Sequence, residues 1–257
     1  GYLNEKAMNP VKNGADLLLA SNVFAHADDL KSMAESMKKL IKPDGKIVIE
    51  VQYLLNTIRD LTFDNIYHEH TNYWSLSTIN QFLKNLGLIV FNAEKINTHG
   101  GSIRVYITQD KNIQINDNVK QILKEEDEFG LKKISTYLNF GKKIQDLKKN
   151  VIENIKMLKE KHANIIGYGA PAKATTALNF FNIGDEIDLI VEDNQLKHNK
   201  FMPGVNIPII PKDSLKNKNS LVLVLAWNFF DEIKANNKNL GKEFLSIKEL
   251  ETAKKIN

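Results

Sequence analysis

The side chains best suited to moving protons sit in two short segments, Tyr67-His68-Glu69-His70 and Thr98-His99-Gly100-Gly101-Ser102-Ile103-Arg104. The chain has six histidines and three of them lie here, so proton chemistry is concentrated rather than scattered. An imidazole with an ordinary pKa of about 6.5 takes or gives a proton near neutral pH. A carboxylate beside it orients a neighbour or a substrate amine or hydroxyl, and a phenol hydrogen-bonds a substrate oxygen. From the residues alone three readings of His68-Glu69-His70 stand open. His70 acts as a base; or the two histidines bind a metal with Glu69 or His99; or the imidazoles are only hydrogen-bonded inside a loop.

A second chemistry is written at Gly167-Tyr168-Gly169-Ala170-Pro171-Ala172-Lys173. Gly167-x-Gly169-x-x-Ala172 matches a loose phosphate-binding fingerprint, in which glycines let the backbone approach and a helix N-terminus offers N–H groups. Lys173 adds a point charge, and Glu192-Asp193 at the next strand end stands where a ribose hydroxyl is bound. A nucleotide or nucleotide-sugar, a nicotinamide cofactor such as NAD, and a turn that is merely tight all fit this pattern.

The elements that must position these residues follow from periodicity. Ala15 to Ala20 reads as a buried parallel strand. A helix with Leu30, Met33, Ala34, Met37 and Leu40-Ile41 on one face follows, then a tight turn at Pro43-Asp44-Gly45 and a strand from Lys46 to Val51. Gly1 to Gly14 reads as strandless. Tyr67 to His70 falls in a loop before a helix from about Ser75 to Leu86. Leu88 to Asn97 and Ser102 to Thr108 form two strands joined across Thr98 to Gly101. From Asn116 to Lys161 a charged helical stretch carries an apolar stripe through Leu131, Ile134, Leu138, Ile144, Leu147, Val151, Ile155 and Leu158, with Gly130 and Gly141 as breaks. Strands at Ala163 to Tyr168, Ile187 to Val191, Leu221 to Ala226 and near Phe244 alternate with helices, a Rossmann-like half-sheet. The expected architecture is α/β in three parts: residues 1–112, 113–162 as a helical connector, and 163–257.

Composition limits the function classes. With 35 basic and 31 acidic residues, a net charge of +4 and lysines spread along the chain, a solvated surface is expected and a nucleic-acid partner is not. Apolar runs such as Leu221 to Ala226 fall short of the roughly 20 residues that cross a bilayer, and with no signal segment a cytoplasmic location away from membranes is expected. Zero cysteines exclude disulfides, a thiolate nucleophile and cysteine-ligated zinc.

Read together, Asn22 to His26, Tyr67-His68-Glu69-His70, His99 to Val105 and Gly167 to Lys173 occur in the order seen in S-adenosylmethionine-dependent sugar C-methyltransferases. Asp193, Pro203-Gly204, Ile207-Pro208 and Ala226-Trp227-Asn228 extend the resemblance over essentially the whole chain. It implies methylation of the carbon next to the ketone of a nucleotide-linked 4-keto-deoxysugar through an enolate, with S-adenosylmethionine as cofactor. It implies His70 as base, Tyr67 and His26 on the keto and enolate oxygen, and Glu69 fixing the sugar, with His68 outside the chemistry and no metal. His99, Arg104, Gly167, Gly169, Lys173 and Asp193 are implied as substrate contacts, and Asn22 as a cofactor contact.

The chain departs from that family in having no cysteine-ligated zinc segment and no acidic-glycine turn ahead of Ala15. The resemblance therefore implies the later strands of a Rossmann-like methyltransferase sheet, an incomplete S-adenosylmethionine site, a helical connector and a second Rossmann-like domain holding the nucleotide-sugar. The alternatives are a nucleotide-sugar-binding remnant without turnover and an NAD-dependent enzyme.

Overall fold

A computed structural model describes residues 13–215 and 220–252. The strandless reading of Gly1 to Gly14 therefore falls, up to position 12, outside the described residues. Packing divides the chain into two units, Gly1–Phe63 with His68–Phe140, and Asp64–Tyr67 with Gly141–Asn257.

The first unit contains β1 (Ala15–Ser21), α1 (Leu30–Leu40), β2 (Ile41–Gln52), α2 (Leu54–Arg59), α3 (Leu76–Asn85), β3 (Ile89–Ile96), β4 (Ser102–Thr108) and α4 (Asp117–Phe129). Its sheet runs β1-β2-β4-β3. β1 and β2 are parallel across α1, whereas β4 is antiparallel to both of its neighbours. The sheet is mixed: the β1-α1-β2 crossover is parallel as expected, and the β3–β4 connection is too short for a crossover, so that pair is antiparallel. His99, Gly100 and Gly101 turn it with successive φ values of 52°, 86° and 107°.

Three local expectations change. Pro43-Asp44-Gly45 lies inside β2, where the pairing jumps from Ala15↔Ile41 to Leu17↔Lys46, so the turn residues are absorbed as a bulge. β1 is not buried on both faces: Leu17 and Leu19 are 55% and 68% exposed. Among the described residues this strand pairs only with β2, at the margin of the sheet. The core lies instead around β2 and β4, where Ile47, Ile49, Val51, Ile103, Val105 and Ile107 alternate inward against Phe24, Leu76 and Ile79.

One buried carboxylate joins this unit together. Glu126 of α4 is 2% exposed. It accepts the backbone N–H groups of Leu76 and Ser77 at 2.5 and 2.9 Å and the Tyr53 hydroxyl at 2.9 Å. Leu76 and Ser77 open α3, and Ser75 caps the next N–H, that of Thr78. The helix N-terminus thus has both its capping residue and a charge that suits its dipole. Burial together with the Glu126 charge pushes the Tyr53 phenol well above its ordinary pKa, which keeps it a donor.

α4 ends at Gly130, in the left-handed region at φ 84°, as expected. The next helix, α5 (Ile134–Lys161), runs straight through Gly141. A helix-interior glycine costs about 1 kcal/mol, little against the packing of a 28-residue helix. The predicted stripe is buried at Ile144, Leu147, Val151, Ile155 and Leu158, but Ile134 and Leu138 are 74% and 69% exposed.

The second unit adds β5 (Ile165–Tyr168), α6 (Ala172–Phe181), β6 (Leu189–Glu192), β7 (Lys200–Phe201), β8 (Pro208–Pro211), β9 (Leu221–Val224), α7 (Phe230–Asn236) and β10 (Glu243–Ser246). The order is β10-β9-β5-β6-β8-β7, parallel except for the β7 edge. β7 and β8 have no counterpart in the sequence reading. A two-residue strand and an Ile-Ile pair bracketed by prolines carry no readable alternation. Asp64, 2% exposed, accepts the Trp227 indole N–H at 2.6 Å. Lys173 and Lys248 lie over the Trp227 ring at 5.1 and 5.2 Å, and Lys248 reaches Glu251 at 2.8 Å. Burial holds the Lys173 ammonium below its usual pKa and pushes the Glu251 carboxyl up to about 7.

Two predictions follow from these buried charges. Glu126→Ala strands two backbone donors and a phenol, and is expected to cost about 3 kcal/mol in denaturant unfolding, with Glu126→Gln milder; a loss under about 0.5 kcal/mol for the alanine variant would contradict the clamp. The Glu251 pKa is raised by folding, so its contribution is complete below pH 4.5 and is lost as the pH rises through about 7. The wild type should therefore lose on the order of 3 kcal/mol relative to Glu251→Gln across that window. Parallel stability curves for the two proteins would refute it.

Candidate active site

The loop after β1 and the loop carrying Glu69 to Asn72 are sewn together within the first unit. A 3₁₀ turn, Phe24–His26, leaves β1. Ala25 O accepts the Asn72 N–H at 3.2 Å and the Thr71 hydroxyl at 3.3 Å, and the Asn72 amide donates to Ala27 O at 3.1 Å. His26 Nδ1 lies 2.8 Å from Glu69 O. A carbonyl only accepts, so Nδ1 carries the proton and neutral His26 keeps its lone pair at Nε2. The rings of His26 and His70 are 4.9 Å apart and inclined at 58°. His70 is 5% exposed, on the floor of this junction. The far end of the loop is fixed by Leu54 N–H donating to Trp74 O at 2.8 Å and by the Glu126 clamp one residue beyond Ser75.

His26, His70 and the Glu69 backbone are thus brought together, while the His68 and Glu69 side chains are 85% and 58% exposed and 3.8 Å apart. An exposed pair of that kind contributes little stability. Tyr67 is half-buried and packs with the second unit. Among the described residues no three His, Asp or Glu side chains are grouped to hold a metal ion.

The second segment holds the sheet together. Arg104 donates through Nε and Nη2 to Glu50 at 3.1 and 2.9 Å and through Nη1 to Glu94 at 3.2 Å, and Tyr106 also donates to Glu94. These residues face each other across β2, β4 and β3. The Glu50 hydrogen bond, above all, holds the guanidinium above its usual pKa. With those donors spent on two carboxylates, Arg104 ties β2, β4 and β3 together. His99 stands exposed at the hairpin tip. Glu50 was not legible as its partner, because two antiparallel strands meet only through long-range register.

Asn22 follows the carboxyl end of β1 at φ 53°, and its Oδ1 is buried without a hydrogen-bond partner. An unsatisfied buried acceptor costs about 1–3 kcal/mol, so the position suits a donor from a bound molecule. The amine and hydroxyl groups of S-adenosylmethionine supply such donors. On this observation the site fits the cofactor.

In the second unit the glycine turn is already occupied by its own chain. Glu192 Oε2 accepts the Ala170 N–H at 2.7 Å, and Lys197 Nζ donates to Ala170 O at 2.8 Å, 3.7 Å from the same carboxylate. A carboxylate sits where the fingerprint places a phosphate. Gly167 serves packing, since a Cβ there would meet Ile190 and Leu225 at 2.9 Å; Gly169 is required by its φ of 87°. The Lys173 ammonium lies over the Trp227 ring. Asp193 accepts the Tyr168 hydroxyl at 2.7 Å, which holds its carboxyl below the ordinary range. No helix among the described residues is long and apolar enough to cross a membrane.

Residues 97–245 match the model of the C-methyltransferase C-terminal domain, and residues 4–92 match a methyltransferase domain. The chain is 30% identical over 234 residues to the C-methyltransferase NovU of Streptomyces niveus, covering 90% of this chain and 55% of that protein. It thus spans about half the length of that curated relative. Among solved structures, the mitomycin 7-O-methyltransferase MmcR is 20% identical with a TM-score of 0.34, covering 39% of this chain and 31% of that one. Magnesium protoporphyrin IX methyltransferase from Synechocystis PCC 6803, with bound SAH, is 11% identical with a TM-score of 0.31, covering 40% and 48%. With more than half of its length matched by the C-terminal domain model, the chain belongs to the C-methyltransferase family.

Proposed function

We propose that this protein transfers a methyl group to the carbon beside the ketone of a nucleotide-linked 4-keto-deoxysugar. The observation that carries this reading is the imidazole pair, half-buried His26 and buried His70, with ring centroids 4.9 Å apart. S-adenosylmethionine, the cofactor that a methyltransferase domain implies, supplies the electrophilic methyl group when bound. A ketone acidifies the hydrogen on its neighbouring carbon; neutral His70 removes it, and the carbonyl oxygen gathers the negative charge. His26 has spent its Nδ1 proton on Glu69 O, so it donates to that oxygen from Nε2 only as the imidazolium. His26 meets the enolate oxygen with its Nε2 proton, and His70 takes the proton from carbon. Tyr67 is assigned to a substrate oxygen and Glu69 to a polar group on the sugar. The Gly167 turn is not given the substrate's diphosphate, because Glu192 already takes the Ala170 N–H. The same carboxylate argues against the pyrophosphate of NAD there.

Deuterium wash-in at the acidic carbon of such a keto-sugar nucleotide, followed by NMR, tests the assignment. His70→Asn should slow the exchange by at least about 100-fold. Exchange at the wild-type rate in His70→Asn would exclude it as the base.

A further inference from the structure

We propose that Trp227 is a positioning residue for the reaction: its indole N–H fixes Asp64, and Asp64 fixes the segment that presents Tyr67. This rests on the methyl-transfer reading, in which Tyr67 serves a substrate oxygen.

The chain makes a short excursion at this point. Phe63 and His68 belong to the first unit, and Asp64–Tyr67 between them belongs to the second. So short a segment has few side chains with which to hold its place. Its apolar member does not serve, because Ile66 is 46% exposed. The buried members are polar, Asp64 and Asn65, each 2% exposed. A buried carboxylate must be met by donors or cations, so directional bonds and not apolar burial fix where it sits. Asp64 Oδ2 accepts the Trp227 indole N–H at 2.6 Å, and Lys248 Nζ lies 3.9 Å from Oδ1.

The donor is itself built into place. Trp227 opens a 3₁₀ turn, Trp227–Phe229, shortly after β9, where the Leu225 N–H donates to Tyr168 O at 2.9 Å and the Phe229 N–H to Ala226 O at 2.9 Å. Lys173 from the first turn of α6 and Lys248 from a 3₁₀ turn at Ile247–Glu251 place their ammonium groups over its ring, at 5.1 and 5.2 Å. That last turn is tied to α5, whose Asn154 amide donates to Leu250 O at 2.9 Å and Thr252 O at 3.0 Å. A cation over the π face draws electron density from the indole and makes its N–H a better donor to a carboxylate. Burial disfavours the Lys173 ammonium, and the Asp64 charge works against that loss. The end of β9, the start of α6 and the Ile247–Glu251 turn thus converge on one hydrogen bond, in the segment that ends at Tyr67. Tyr67 bears most strongly on its oxygen once negative charge has developed there, so misplacing it costs turnover more than binding.

The deuterium wash-in assay and the indole N–H signals of ¹⁵N-tryptophan-labelled protein test this together. Trp227→Phe, which keeps an aromatic ring and removes the donor, should lower kcat for exchange at least about fivefold with KM within about twofold. In a Tyr67→Phe background the same change should cost less than about twofold, because a residue that acts through Tyr67 then has nothing left to position. Asp64→Asn, of equal size, should repeat both results, and it reads the proposal even if the Trp227 variant folds poorly. The chain has two tryptophans, and the Trp227 signal, the one lost in Trp227→Phe, should move upfield in Asp64→Asn, since a neutral amide accepts more weakly than a carboxylate. Wild-type exchange with losses that multiply in the double variant, or an indole signal unmoved in Asp64→Asn, would overturn this proposal and leave the methyl-transfer reading standing. Absence of exchange in the wild type would overturn both.

Discussion

The buried carboxylate of Glu126 is the constraint on which the first unit turns. Taking an ionised group out of water is costly, and it is tolerated here because three donors converge on it: two at the start of α3 and the Tyr53 hydroxyl. Charge-assisted bonds of this kind are roughly twice as strong as neutral ones. The result is a rigid junction of α4, the end of β2 and the start of α3. The loop carrying His70 runs into that junction at Trp74 and Ser75, so the clamp fixes one end. The contacts of residues 69–72 with Ala25, His26 and Ala27 fix the other.

Local periodicity made most of the scaffold legible. The α3 helix was readable from its cap and apolar spacing, and the β3–β4 hairpin from alternation broken by two glycines. What local pattern does not encode is partnership across the chain. Glu126 looked like one acid in a charged helix, and nothing near it in sequence names Tyr53 or Leu76. The exposure of Leu17 and Leu19 likewise depends on which strands flank β1, not on its composition. Gly141 looked like a break because a glycine's local cost is visible and the packing that outweighs it is not.

Both motifs acquire partners from distant parts of the chain. Tyr67-His68-Glu69-His70 was read as proton chemistry, and the geometry gives His70 a neighbour, His26, from 44 residues earlier in the sequence. The glycine turn was read as a phosphate cradle, and its backbone donor is instead held by Glu192, 22 residues on. Glycines state that something approaches the backbone closely. They do not state whether it comes from a ligand or from the chain itself. Lys173, adjacent in sequence to that turn, lies over the Trp227 ring, a contact that local spacing does not encode.

An enolate offers both carbon and oxygen to a methyl donor, and the account commits to carbon. The most direct test is the position of the label after incubating the protein with a 4-keto-deoxysugar nucleotide and S-adenosylmethionine carrying a ¹³C-deuterated methyl group. The account predicts that the labelled methyl is bonded to the carbon beside the ketone, with one solvent-exchangeable hydrogen lost from that carbon. A label on oxygen or nitrogen, or an unmethylated sugar, would contradict it.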